Sequence, residues 1–155
     1  MTNGELLEHV KSMMDALIDS EYRVWVENGL DLDRDDFEME FLAATLYLAG
    51  ADNNISAIEV DLVNYVFDQN LSPQTMGPLI KTLSESYNAL IVDLELPGWK
   101  ICKRIDAVKG DSEATDAYIS TMGALMILFG GVDGNLDASE EKFINDYVNR
   151  LERDR

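Results

Sequence analysis

One ten-residue pattern occurs twice in this chain and limits its possible folds more than any other feature of the sequence. Residues 50–59 read GADNNISAIE, and residues 131–140 read GVDGNLDASE. Both copies place Asp, Asn, an aliphatic residue, a helix-capping side chain, Ala and Glu in the same order. The flanking apolar residues keep the same spacing, so an apolar helix, a short acidic loop and a second helix occur twice. Leu46 and Ile127 are equivalent in the two apolar helices, and we expect both to be buried.

Helical spacing of apolar residues continues through the rest of the chain, and no stretch alternates apolar and polar residues as an amphipathic strand would. Thr2 and Glu5 form a capping-box pattern that opens the first helix. Ser72 is the predicted N-cap of the fourth helix, with Pro73 at its first position. Gly77-Pro78 is expected to break a helix, because proline disfavours helical geometry in the residue before it. The predicted helices cover about 4–28, 31–50, 57–69, 73–96 (with that break), 99–108, 113–130 and 138–153, the sixth being capped by Gly110-Asp111-Ser112. We therefore expect an all-α fold of about seven helices in two related halves, as a single domain over residues 1–155 with an internal repeat at 37–70 and 118–151.

The charge of the chain restricts its partners. The formal net charge is −18, and residues 1–61 hold 15 acidic side chains against three basic ones. A surface this negative repels phosphate backbones and anionic membranes and attracts cations or basic proteins. We therefore expect a protein partner with a basic surface, and no direct binding to nucleic acid.

The location of the chain is predicted from what its sequence lacks. No apolar run reaches the roughly 18 residues of a membrane-spanning helix, and no secretory signal is visible at the N-terminus. Cys102 is the single cysteine, so no internal disulfide can form, which fits a reducing cytoplasm. We expect a cytoplasmic protein that does not insert into a membrane.

The repeated loops carry oxygen groups of the kind that Ca²⁺ and Mg²⁺ select. The candidate metal ligands are Asp52, Asn54 and Glu59 in the first copy, and Asp133, Asn135, Asp137, Glu140 and Glu141 in the second. The second loop is the stronger candidate, because Ser56 stands in the first copy where Asp137 stands in the second. An EF-hand is excluded, since Ala57 and Ala138 replace its required glycine. Zinc is not expected, because one His and one Cys cannot supply its ligands.

Helix capping explains the same residues without any ligand. Ser56 with Glu59, and Asp137 with Glu140, have the spacing of capping boxes. The Asp and Asn residues of the loops are also good turn formers, because their side chains bond to nearby backbone. Both interpretations stay open at this point.

The remaining reactive side chains do not form a catalytic constellation. His9 is the single histidine and is expected to be a surface or packing residue. Cys102 has basic neighbours in Lys103 and Arg104 but no His or second Cys, so a buried or incidental thiol is expected.

The repeated loop with its flanks resembles the TerB-like (tellurite-resistance TerB) family. That family's motif is a helix ending in small residues, followed by Ala-Asp-Gly-x-Ile-x-x-x-Glu at the start of the next helix. Residues 47–59, YLAGADNNISAIE, are similar to this motif, and residues 129–140, FGGVDGNLDASE, look like a variant that keeps the Asp-Gly pair. The chain departs from the motif at Asn53, where the family has Gly, and at Val132, where it has Ala. The resemblance implies an all-α bacterial cytoplasmic protein linked to stress or metal-ion response, with metal bound by the loop carboxylates.

The sequence thus predicts a non-enzymatic TerB-like acidic module that binds a divalent cation and a protein partner in a tellurite-type stress response. An alternative is an acidic mimic of nucleic acid that occupies a basic nucleic-acid-binding protein. A hydrolase is a third hypothesis, supported only by carboxylate pairs that the helix caps already explain.

Overall fold

The computed structural model describes residues 2–29, 33–50, 56–132, 136 and 138–155, and within them it consists of helices without strands. The helices are α1 (Asn3–Glu27), α2 (Arg34–Gly50), α3 (Ala57–Val66), α4 (Pro73–Val92), α5 (Pro97–Lys109), α6 (Glu113–Gly130) and α7 (Ala138–Asp154). The prediction of an all-α fold with about seven helices is confirmed.

Local side-chain caps start three of these helices where the sequence predicts them. Thr2 accepts a 3.1 Å hydrogen bond from the amide of Glu5, whose carboxylate accepts one from the Thr2 amide. Ser56 and Glu59 form the same capping box at α3. Ser72 caps α4 by accepting from the Thr75 amide at 3.3 Å. Each cap satisfies an amide that the helix itself leaves unpaired.

The predicted break at Gly77-Pro78 is wrong, because α4 is continuous from Pro73 to Val92 with Pro78 inside it. The clash that disfavours helical geometry before a proline involves both the N–H and the Cβ of the preceding residue, and Gly77 lacks the Cβ part of it. The prediction that this helix reaches Leu96 is also wrong. It ends at Val92, and Leu94 in the following turn has a left-handed backbone (φ 57°).

Helix α6 lies at the centre of the fold and packs against α1, α2, α5 and α7. It buries residues on most of its circumference, as expected of a helix enclosed by others. Its Tyr118 ring lies 5.7 Å from the ring of Phe41 on α2 and 5.4 Å from that of Trp99 on α5. All seven helices contribute apolar side chains to this core.

The prediction that Ile127 is buried is wrong, since 53% of its surface is exposed. Ile127 continues a solvent-facing stripe of α6 that also carries Asp116 and Ser120. The side chain of its counterpart, Leu46, lies outside the described part of the structure. The helices of the two copies also have different principal neighbours. Helix α7 packs mainly on α6, whereas α3 packs mainly on α1, and α2 packs on α4 and α6.

No helix in the described ranges is long and apolar enough to cross a membrane.

Candidate functional site

Three of the predicted metal ligands lie in the described part of the chain. They are Glu59, Glu140 and Glu141, whereas Asp52, Asn54, Asp133, Asn135 and Asp137 lie outside the described residues.

Glu59 is buried in the first turn of α3, with 4% of its surface exposed. Its Oε1 accepts hydrogen bonds from the amide of Ser56 at 3.1 Å and from the Ser56 hydroxyl at 2.8 Å. The capping interpretation of this residue is therefore confirmed for the first copy. The same contacts place the Glu59 carboxylate beside the residue that directly follows the loop at 51–55.

Glu140 occupies the equivalent position in α7 and is 5% exposed. Its carboxylate lies against the end of α6, where a Cβ added to Gly130 would be 3.1 Å from Oε2 of Glu140 and 2.7 Å from Cδ1 of Leu136. A glycine is needed at position 130 for this close approach. Glu141, in contrast, is exposed. Each copy of the repeat thus buries one glutamate in the first turn of the helix that follows its acidic loop in the sequence.

No three His, Cys, Asp or Glu side chains within the described ranges are grouped so that they could hold a metal ion. Most of the predicted ligands lie outside those ranges, so the metal site stays a prediction.

The structure places a second group of carboxylates in the protein interior. Glu40 on α2 is 7% exposed, and both of its oxygens lie 3.0 Å from the amide nitrogen of Gly98 at the start of α5. Its Oε1 also accepts from the hydroxyl of Tyr118 at 3.1 Å. Leu96, the residue before α5, has no side chain that could cap the helix. Glu40 therefore caps α5 from a different helix.

Glu21 on α1 is fully buried beside this cap. Its Oε1 accepts from the indole N–H of Trp25 at 3.1 Å and from the thiol of Cys102 at 3.4 Å. Its Oε2 is buried without a hydrogen-bond partner in the described structure, and so is the hydroxyl of Tyr147. We call Glu21, Trp25, Glu40, Cys102 and Tyr118 the central polar cluster.

The central polar cluster favours uncharged carboxyl groups. Burial raises the pKa of Glu21 from 4.5 to about 7, against the lowering effect of its bonds from Cys102 and Trp25. Burial raises the pKa of Glu40 to about 7 as well, although the bonds from the Gly98 amide, the Tyr118 hydroxyl and the Trp99 amide oppose it. Burial and the neighbouring Glu21 also raise the pKa of the Cys102 thiol. The prediction of a buried thiol is confirmed, and its raised pKa disfavours the reactive thiolate.

Asp106 on α5 provides a second cap from a different helix, at the start of α6. Its carboxylate accepts from the amides of Ala114 and Thr115, each at 2.9 Å, and from the Thr115 hydroxyl at 2.6 Å. Burial raises its pKa, but these bonds together outweigh burial and leave the pKa lowered. Of the stretch Gly110-Asp111-Ser112 that was predicted to cap α6, Asp111 accepts a hydrogen bond from the Glu113 amide at 3.3 Å. The side chain of Ser112, the residue directly before α6, makes no capping hydrogen bond, and Asp106 accepts from the next two amides instead.

The positions of Glu21 and Glu40 in the sequence could have predicted the central polar cluster, but the spacing of apolar residues alone did not. Glu21 falls on the same stripe of α1 as Met14, Ile18 and Trp25, and Glu40 directly precedes Phe41 in the apolar part of α2. A carboxylate within an apolar stripe indicates a buried acid that needs donors from elsewhere in the fold.

The solvent face of α1 carries a row of acids opposite its buried stripe. The row consists of Glu5, Glu8, Asp15, Asp19 and Glu27, all exposed or half-exposed. Two cations bind to it, with Lys11 at 2.8 Å from Asp15 and Arg34 at 2.6 Å from Asp19. We call these five residues the α1 acidic row.

No protein-family model, curated protein or solved structure matches this chain. Its function is therefore inferred from its own residues.

Proposed function

We propose that this chain is a non-enzymatic, cytoplasmic TerB-like module that binds Ca²⁺ or Mg²⁺ at its repeated acidic loops and a basic protein partner at its surface. The two loops belong to two related halves of the fold, and the process served is a stress response of the tellurite-resistance type. The observation that supports this best is the matched placement of Glu59 and Glu140. Both are buried in the first turn of a helix, and each of these helices follows an acidic loop in the sequence.

Burial of a carboxylate is costly unless its charge is compensated. The first turn of a helix supplies amide donors and the positive end of the helix dipole. A divalent cation held by the loop would add a full charge next to the same carboxylate. Asp133, Asn135 and Asp137 give the second loop more oxygen ligands than Asp52 and Asn54 give the first, so the second site is the tighter one.

Isothermal titration calorimetry of the full chain with CaCl₂ and with MgCl₂ tests the cation site. We expect saturable binding and a rise in melting temperature, because a ligand that binds only the native state stabilises it. Asp133→Asn with Glu140→Gln should remove most of the binding, and Asp52→Asn with Glu59→Gln should remove less.

The matched control is Asp61→Asn with Glu152→Gln, which deletes the same charge from two exposed helix positions. Sodium chloride at equal ionic strength controls for the screening of exposed charge. Absence of binding heat at millimolar Ca²⁺ and Mg²⁺ would overturn the cation proposal. An equal loss of binding in the control pair would show a general effect of acidity.

The α1 acidic row favours a second candidate function, as a mimic of nucleic acid. A helix of 25 residues extends for about 37 Å at 1.5 Å per residue, so the row presents spaced negative charges to a basic groove. A lysine-rich peptide serves as the probe partner, and its affinity is measured at several salt concentrations. Glu8→Gln, Asp15→Asn and Asp19→Asn together should weaken binding at least tenfold. The same number of substitutions on α7, at the exposed Glu141, Asp146 and Glu152, should have little effect, and equal weakening would contradict a dedicated surface.

A further inference from the structure

Two carboxyl groups are buried in the interior where helices α1, α2, α5 and α6 pack together. Glu21 comes from α1 and Glu40 from α2, and the charge of Glu40 acts on Glu21. Their hydrogen-bond donors are neutral, namely the Trp25 indole, the Cys102 thiol, the Tyr118 hydroxyl and the Gly98 amide. Among the ion pairs of the described residues, none includes either glutamate.

The titratable groups around the pair do not compensate it either. Asp106 on α5 adds a negative charge that acts on Glu21, and Tyr118 on α6 and Tyr147 on α7 are neutral at physiological pH. Arg150 on α7 acts on Tyr147. Among the residues whose side chains the structure describes, those that α3 and α4 bury in the core are apolar, except Glu59, which is held in its own capping box.

We propose that Glu21 and Glu40 form a proton-dependent latch, which holds the start of α5 against α1 and α2 when protonated and loosens that contact when both carboxyls ionise. Two geometric observations support this proposal. The Oε2 atom of Glu21 is buried without a hydrogen-bond partner in the described structure, and Glu40 caps the start of α5. When both groups ionise, two negative charges lie in the interior without a cation. Opening of the junction admits water to both charges and releases the Gly98 amide.

The direction of the pH dependence follows from proton linkage. Each carboxyl has a pKa of about 7 in the folded chain against 4.5 ordinarily, so between these values the folded state keeps protons that the unfolded state loses. Stability is therefore highest at the acidic end of this window and falls as the pH rises toward 7. Each retained proton changes the unfolding equilibrium constant by about tenfold per pH unit.

The first experiment measures urea unfolding of the full chain from pH 5 to pH 8. We expect the unfolding equilibrium constant to rise with pH up to about 7 and then to level off. Glu21→Gln and Glu40→Gln should each remove one proton from this dependence, so the unfolding equilibrium constant of each variant should rise by a factor about ten smaller for each pH unit. Glu8→Gln, on the exposed face of α1, is the matched control and should keep the wild-type dependence. Repetition at high salt separates the latch from general repulsion, because exposed charges are screened far more than buried ones.

The second experiment uses only the wild-type chain, so it tests the latch even if a variant fails to fold. Infrared spectroscopy should show a protonated carboxyl stretch at pH 6 that disappears as the pH passes 7. Hydrogen exchange, corrected for the intrinsic rate, should show that the Gly98 and Trp99 amides lose protection over this range. The Ala114 and Thr115 amides, which Asp106 caps, should keep theirs. The latch is overturned by the absence of a protonated carboxyl at pH 6, by equal pH slopes in all variants, or by unchanged protection at Gly98 and Trp99.

Discussion

The starts of α5 and α6 are capped in the same way but with opposite electrostatic results. At each, a buried carboxylate from another part of the chain accepts hydrogen bonds from the first amides of the helix. The pKa of Asp106 is lowered, whereas the pKa of Glu40 is raised to about 7. A carboxylate at a helix start is therefore not necessarily ionised at neutral pH.

The depth of burial accounts for most of the difference, because several donors lower the pKa of each carboxyl. Asp106 receives two amide bonds and a 2.6 Å bond from the Thr115 hydroxyl, and it lines a surface cavity of about 620 Å³. Glu40 receives bonds from Gly98 and Tyr118 in the centre of the fold. Desolvation favours the neutral form and each donor favours the charged form. The donors prevail at α6, and desolvation prevails at α5.

The largest expected effect comes from Gly98→Ala, which breaks the α5 cap. A Cβ at this position would lie 2.2 Å from Oε2 of Glu40 and 2.6 Å from the Trp25 ring. Neither group can move away inside a packed core, so we expect a loss of about 3 kcal/mol in the free energy of unfolding. Urea denaturation measures it. Gly4→Ala is the control, because its nearest neighbour is 3.9 Å away, and a loss of similar size there would refute the packing argument.

The next effect is that of Asp106→Asn at the α6 cap. We expect a loss of about 2 kcal/mol at pH 7, since hydrogen bonds to a charged group are lost. The pKa of Asp106 is lowered, so its stabilisation is present above its ordinary value of 3.8 and disappears as the pH falls through its folded value. Denaturation curves at pH 7 and at pH 3 should therefore show a smaller difference between variant and wild type at pH 3. A difference that grows on acidification would contradict the assignment of an ionised cap.

A matched pair of hydroxyl deletions sharpens the contrast between the two caps. Thr115→Val and Tyr118→Phe each remove one donor to a capping carboxylate, and each should cost about 1 kcal/mol or less. Carboxyl chemical shifts followed by NMR should show that both deletions raise the pKa of the carboxyl concerned. Asp106 should move toward its ordinary value, and Glu40 should move further from its own. A fall in either pKa would mean that the hydroxyl does not stabilise the ionised form.

The smallest effects are expected at two serines that precede helices. Ser56→Ala should cost about 1 kcal/mol, because Ser56 forms a complete capping box with Glu59. Ser112→Ala should change the stability by less than about 0.5 kcal/mol, because Asp106 already caps α6. Thermal unfolding of both variants under the same conditions measures the difference. Equal losses would show that Ser112 contributes to the α6 cap.

Features that depend on neighbours along the chain could be predicted from the sequence. Thr2, Ser56 and Ser72 cap their helices as predicted, because the donor and the acceptor lie three residues apart. Features that depend on the packing of distant segments could not. The bond from Gly98 to Glu40 spans 58 residues, so no local pattern marks either residue as part of a cap.

The predictions at Pro78 and Ile127 were wrong for the same reason, because each considered the residue without its neighbours. Part of the clash that disfavours helical geometry before a proline comes from the Cβ of the preceding residue, and Gly77 lacks that atom. The expectation for Ile127 rested on its register with Leu46, but the exposure of a helix position depends on which neighbouring helices surround it.

Because Cys102 is buried, the reactivity of the chain's one thiol measures how often the interior opens. The sulfur is fully enclosed and donates to Glu21, so a thiol-specific reagent has no route to it in the closed structure. Alkylation can proceed only while a transient opening exposes α5. If alkylation is faster than closing, its rate equals the rate of opening. If alkylation is slower than closing, its rate equals the open population times the intrinsic alkylation rate. The rate of thiol alkylation, followed by absorbance on the unaltered protein, would thus report how often the buried junction around Cys102 opens.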